Sequence, residues 1–193
     1  MNTIIKALVV TVLLVAAVLT LHLYGAPPKT PTDQEVSQVY SSEMFSIRTP
    51  KGYTVDESYT YQALGPGKEI KGVKFTVPVS LAEGTNLSSD SYVSVEQMPA
   101  VDYCAADLFL DLPGRGVATD GKQLVASSTG AAAGNRYEEV VYAIAGTKPC
   151  VAVRYFIHYG MIENYPEGSV HAFDRTALQQ EFDAIRSTLV VAE

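Results

Sequence analysis

From Cys150 to Tyr159 the chain alternates without a break. Val151, Val153, Tyr155, Ile157 and Tyr159 fall on one face, and Ala152, Arg154, Phe156 and His158 on the other. Strict alternation over ten residues rich in β-branched and aromatic side chains demands a strand. That strand needs neighbours, and shorter candidates supply them. Met44 to Arg48 ends at the turn cluster Thr49-Pro50-Lys51-Gly52. Tyr53 to Tyr61 puts Val55, Tyr59 and Tyr61 on one face. Val73 to Val79 points Val73, Phe75, Val77 and Val79 inward, and Tyr92 to Met98, Gln123 to Ser128 and Asn135 to Ala145 complete the set.

Two helical stretches interrupt the β pattern. Asp102 can cap a short helix from Tyr103 to Leu110, ended by Pro113-Gly114. Asp174 can cap a closing helix running to about Thr188, with Ala177, Leu178, Phe182, Ile185 and Leu189 at helical spacing. Strands in succession followed by a terminal helix argue an α+β fold, an antiparallel sheet with both helices packed on it.

Ahead of this domain runs an apolar segment, Ala7 to Leu23, broken only by Thr11, Thr20 and His22 and preceded by Lys6. A basic start and an apolar run make an export signal, and the run is close to the length that spans a bilayer. Tyr24 and Pro27 make cleavage after Ala26 unfavourable, so residues 1–24 read as an uncleaved signal anchor. A signal peptide removed on export is the alternative. Residues 25–35 include Gly-Ala-Pro-Pro-Lys-Thr-Pro-Thr, an extended spacer, and residues 36–193 form the extracytoplasmic domain. The expected location is the inner membrane, with the domain in the periplasm or outside the cell. Net charge is −7, and Lys6 and Lys29 cancel Asp33 and Glu35, so the full −7 lies on the domain. Such a surface repels phosphate backbones and argues against a nucleic-acid partner.

Cys104 and Cys150 are the only cysteines. In an oxidising compartment they read as a structural bridge. It would close a loop of about 47 residues, worth roughly 4 kcal/mol by chain entropy. The competing reading, a redox or metal pair, has no C-x-x-C spacing behind it.

The chain resembles the PsbP-like fold group. The likeness rests on the opening Met44-Phe45-Ser46-Ile47-Arg48-Thr49-Pro50-Lys51-Gly52-Tyr53, on the long strand Cys150 to Tyr159, and on the close Phe182-Asp183-Ala184-Ile185-Arg186-Ser187-Thr188-Leu189. Gly130 to Glu139 and Arg154 to Pro166 are similar to segments of bacterial exported proteins. These are mostly core positions, so the resemblance implies a fold and carries no activity with it.

Chemistry-bearing residues are sparse. No G-x-S-x-G elbow occurs. Ser127 or Ser128 with His158 would need an orienting carboxylate such as Glu138 or Glu139. Glu83, Asn86, Ser88 and Asp90 lack the order of a calcium loop. Gly65-Pro66-Gly67-Lys68 lacks Walker spacing and reads as a hairpin turn. Neither a metal nor a cofactor is expected. The best polar constellation is Arg136, Glu138 and Glu139 with Arg154 and His158 on neighbouring strands. If their faces coincide, they form a ladder of ion pairs worth a few tenths of a kcal/mol each, or a recognition surface completed by Tyr155, Tyr159 or Tyr165. The leading expectation is a non-catalytic envelope module that binds a protein or an envelope polymer. The alternative is a small envelope hydrolase using His158 with Arg154 and a carboxylate.

Overall fold

The structure, a computed structural model, describes residues 37–99, 101–110, 118–120 and 123–192. The expected membrane segment, the spacer and most of the connection 111–122 lie outside the described residues. Among the described residues no helix is long and apolar enough to cross a membrane.

The elements run β1 (Gln38–Ser41), β2 (Phe45–Thr49), β3 (Thr54–Asp56), β4 (Thr60–Tyr61), β5 (Ile70–Thr76), α1 (Val79–Ala82) and β6 (Tyr92–Met98). A 3-10 turn (Ala106–Phe109) follows, then β7 (Ala118–Asp120), β8 (Gln123–Ala132), β9 (Asn135–Ile144), β10 (Cys150–Gly160), a second 3-10 turn (Ile162–Asn164), α2 (Arg175–Ser187) and β11 (Val190–Val191). All ladders are antiparallel. A small sheet has the order β1-β2-β11. The large one runs β3-β5-β6-β10-β9-β8-β7, with β4 also on β5. The α+β class, with an antiparallel sheet as its frame, holds.

β10 sits at the centre of the large sheet, as its alternation demands. Val151, Val153, Tyr155 and Ile157 enter the main core, where they meet Val93 and Val95 of β6, Phe75 of β5, Phe45 and Ile47 of β2, and Leu178, Phe182 and Ile185 of α2. Asp174 caps α2 by accepting a hydrogen bond from Ala177 N at 2.9 Å. Ala177 itself is exposed, and the buried stripe is Leu178, Phe182 and Ile185. The opposite face carries a second core of Tyr61, Ile70, Phe109, Val141, Ala143 and Ala152 beneath the 104–110 segment.

Several local expectations need correction. The residues from Tyr103 to Leu110 form no helix capped by Asp102. Only Ala106–Phe109 turns, as a 3-10 piece with no side-chain cap. Cys104 lies before that turn, bridged to Cys150 with Cα atoms 5.1 Å apart, and its neighbour Ala105 is extended. The stretch Tyr53 to Tyr61 is two short strands, with Val55 against the main core and Tyr59 and Tyr61 against the second. Glu57 and Ser58 bulge out between them and shift the register, which moves later residues to the other face. Val79 starts α1 after Pro78 and is 71% exposed. The small-residue stretch from Thr129 extends β8 into a two-residue turn at Ala133 (φ 47°) and Gly134 (φ 79°). Positive φ at both positions suits the twist of a tight hairpin. The 65–68 segment is a turn, with Lys68 N donating to Gly65 O at 3.2 Å.

Candidate functional site

Register decides which polar residues can meet. Residues paired across an antiparallel ladder share a face. Tyr159 pairs with Arg136 and Ile157 with Glu138, whereas Phe156 pairs with Glu139 and His158 with Tyr137. Arg136 and Glu138 therefore face α2, and Arg154, His158 and Glu139 face the other way. The imagined ladder divides into two separate groups.

On the helix side, Glu138 accepts from the Tyr159 hydroxyl at 2.9 Å and pairs with Arg175 at the start of α2. Arg136 donates to Asn135 O at 3.3 Å. Tyr165, in the turn after β10, is not among these helix-side residues: it sets its hydroxyl over Gly160, which alternates with Tyr159 and so shares the face of His158, where any Cβ would lie 2.5 Å from that oxygen. At the far end of α2, Arg186 donates to the Tyr155 hydroxyl at 2.7 Å.

On the opposite side, Arg154 is fully buried at 0% exposure, and so is Glu96. Arg154 donates from Nε to Glu96 Oε1 at 2.8 Å and from Nη2 to Oε2 at 2.9 Å, a bidentate pair. Nη1 donates to Glu139, and Nη2 also donates to the Phe109 carbonyl at 2.6 Å. The Tyr61 ring lies 3.5 Å from the guanidinium carbon, and its hydroxyl donates to Glu139 at 3.0 Å. Ser94 supplies one more donor to Glu96 at 2.7 Å. Burial works against the Arg154 charge, but the two carboxylates outweigh it and hold its pKa above the usual range. Burial likewise raises the Tyr61 hydroxyl. Arg154 was expected in an ion-pair ladder or a recognition surface; the 104–110 segment covers it.

Beyond that cover the face is partly open: Tyr59, Phe156, Tyr137 and His158 are half-buried and Tyr92 is buried. Across β6, β10 and β9 runs a row of rings. Tyr59 meets Tyr92 edge-on at 5.5 Å, Tyr92 stacks on Phe156 at 4.9 Å, and Tyr137 stacks on His158 at 4.5 Å. Lys74 Nζ lies 5.3 Å from the Tyr59 centroid and 5.8 Å from that of Tyr92. His158 Nδ1 contacts Asp90 Oδ1 at 2.8 Å. Its Nε2 is buried and has no hydrogen-bond partner among the described residues.

Sequence reasoning missed Glu96, Tyr61, Tyr92 and Tyr137 as site residues, and weighed Asp90 only as a calcium ligand, not as the partner of His158. A signal for Glu96 did exist: it is a lone carboxylate inside a buried strand, and Arg154 is the lone cation inside another. The loop once weighed as a cation site is used otherwise. Asn86 is buried, donates to Gly160 O at 2.7 Å and accepts from Phe173 N at 3.0 Å, tying the loop to β10 and to the entry of α2.

No family model matches this chain, and no curated protein does. Among solved structures it is similar to cyanobacterial PsbP (CyanoP) from Synechocystis sp. PCC 6803. The identity is 12%, with 88% of this chain and 99% of that chain covered and a TM-score of 0.35. A score of that size carries no argument about function, which has to come from the residues themselves.

Proposed function

We propose that this chain is a non-catalytic envelope module, held at a membrane by its N-terminal apolar segment, that binds a protein partner or an envelope polymer through the half-covered aromatic part of its large sheet. The observation that carries this reading is the row Tyr59–Tyr92–Phe156–Tyr137–His158, edged by Lys74 and Asp90. Aromatic side chains with a few fixed charges are the favoured composition of contact surfaces. The surplus of carboxylates on the domain disfavours polyanions. The full chain, tagged at its C-terminus and captured from envelope extracts, is expected to bring down one reproducible partner, and Tyr137→Ala is expected to lose it. Repeated captures that recover the same background from both proteins would end this reading.

The hydrolase reading has one contact in its favour. His158 Nδ1 is held by Asp90, as an orienting carboxylate holds a general base. Against it, Arg154 is committed to Glu96 and Glu139; Ser127 pairs with Val140 on the helix side of the sheet, whereas Ser128 pairs with Glu139 on the face of His158. Turnover of ester or amide substrates that disappears in His158→Gln would favour this second reading.

A further inference from the structure

The large sheet ends in two unlike edges. On one side β5 carries β3 and β4, strands of 3 and 2 residues separated by the bulge at Glu57 and Ser58. Asp56 fixes that bulge by accepting from Ser58 N at 3.0 Å, and its carboxylate pairs with Lys74 at 3.6 Å. Short pieces, a bulge and charged side chains keep a free edge from pairing with another chain.

The other edge lacks these devices beyond Val125. β8 pairs with β9 without a break from Gln123 to Ala132. β7 covers the outer side of β8 only at Gln123, Leu124 and Val125. From Ala126 to Ala132 no described residue pairs with that side. The stretch reads Ala-Ser-Ser-Thr-Gly-Ala-Ala, with no charge and no proline. The phase of the hairpin decides which backbone groups point out. Ala132 and Asn135 flank the two-residue turn at Ala133 and Gly134, so they bond to each other. Bonding alternates from there along β8. Ala126, Ser128 and Gly130 also bond toward β9, and Ser127, Thr129 and Ala131 turn N–H and C=O outward. The tip of the hairpin is tied down, because Met161 N and Asn164 Nδ2 donate to Gly134 O at 2.9 and 2.8 Å. An edge already held straight loses little freedom when it gains a partner.

We propose that the outer edge of β8 pairs with the same edge of a second copy of this chain, antiparallel about a two-fold axis at Thr129. The phase of the strand suits this occupant. An axis at Thr129 sets Thr129 opposite Thr129 and Ser127 opposite Ala131. All of these residues already turn their groups outward, so each facing pair can exchange both hydrogen bonds. Charge permits it as well. The domain carries the whole −7 of the chain, yet this edge is neutral. The carboxylates of the next strand, Glu138 and Glu139, are already paired with Arg175 and Arg154. The side chains favour self-pairing over a foreign strand. A foreign strand added to an edge is selected by pockets for its alternate side chains. Here the strand itself offers only methyls, hydroxyls and a glycine, and such small groups let two backbones reach ordinary strand spacing. This reading stands on the strand edge and is independent of the partner proposed for the aromatic row.

The test uses the full chain in nonionic detergent, with micelles in excess over chains. Deuterium exchange of the backbone amides is followed residue by residue as the protein is diluted. Ser127, Thr129 and Ala131 are expected to be protected at high concentration and to lose that protection on dilution. Ser128 and Gly130, bonded to β9, report that the hairpin stays intact. Thr129→Cys is expected to join two copies through a short bismaleimide. Ser127→Cys alone is expected not to, because its two copies would stand roughly 13 Å apart along the seam. Ser127→Cys mixed with Ala131→Cys is expected to join again. Thr129→Lys sets two ammonium groups opposite each other and is expected to weaken the dimer by roughly fivefold or more. Protection of the outward amides that does not change on dilution would mean that the chain covers its own edge, and would overturn the proposal. So would their free exchange at every concentration, joining of Ser127→Cys alone as readily as Thr129→Cys, or association of Thr129→Lys equal to that of the parent.

Discussion

Arg154 donates to the carbonyl of Phe109 at 2.6 Å, and this bond joins the centre of the large sheet to the segment that covers it. The same guanidinium grips Glu96 two-handed. One side chain thereby ties β10 to β6 and to the 3-10 turn. Breaking a buried pair by removing one member typically costs about 3–5 kcal/mol, because the other charge stays buried. Arg154→Met is therefore expected to destabilise by that order in urea melts. Arg154→Met combined with Glu96→Leu should recover much of the loss. A single variant as stable as the parent would show that the network contributes nothing to the folded state.

The Cys104–Cys150 bridge fastens the other end of the same cover. Protein from an oxidising compartment is expected to show no free thiol after denaturation without reductant. Cys104→Ala is expected to lower the melting temperature, since a bridge of this loop length contributes roughly 4 kcal/mol in the chain-entropy model. Labelling of both thiols in such a preparation, or an unmoved transition, would remove the bridge from the account of stability.

Asp174 makes one hydrogen bond to the first turn of α2. Asp174→Ala is expected to cost about 1 kcal/mol, and Asp174→Ser to recover most of it. Chemical denaturation of the three proteins side by side measures both.

The tyrosines set an alkaline limit. Burial raises the hydroxyls of Tyr53, Tyr59, Tyr61, Tyr92 and Tyr155 above their ordinary value of 10.0. A group whose folded pKa is raised contributes stability that is complete below its unfolded pKa. That contribution falls as pH climbs past it, because only the unfolded chain then releases the proton. Stability should thus decline steadily above about pH 10. The absorbance of these five phenolates should appear together with loss of near-ultraviolet circular dichroism. Ionisation of all twelve tyrosines near their ordinary value in a still-folded protein would refute this.

The membrane reading has its own check. Fractionated cells are expected to hold the full-length chain in the membrane pellet, with the domain accessible to protease from outside the cytoplasm. A soluble form beginning near Val18 or Pro27 would show that the apolar segment is removed.

Most of the frame was legible because burial writes itself into alternation. The sequence located β6 to the residue and β10 to within one, and the stripe Leu178, Phe182 and Ile185 marked the inner side of α2. The local breaks were not legible. A bulge at Glu57 and Ser58 has no composition that distinguishes it from a continuous strand, yet it moves Tyr59 and Tyr61 to the opposite face from Val55. Asp102 looked like a cap, but the segment is tied at Cys104 and held by Arg154 at Phe109, and only Ala106–Phe109 turns, as a 3-10 piece between extended Ala105 and Leu110. The polar site failed for a third reason. Arg136 and Arg154 lie on paired strands, and which faces coincide is fixed by register alone, which one chain's alternation does not encode.

The first and last strands flank the same neighbour. β2 pairs with β1 on one side and, through Phe45 and Val191, with β11 on the other. A ribosome makes Phe45 long before Val191. The small sheet therefore cannot close until Val190 and Val191 have been made, and α2, which leads into β11, is made only shortly before them. Until then Phe45 and Ile47 lack their neighbours from α2 and β11. Contacts so distant along the chain also make for slow folding. Removing Val190 and Val191 would strike the step that completes the small sheet, however far those residues lie from any ligand.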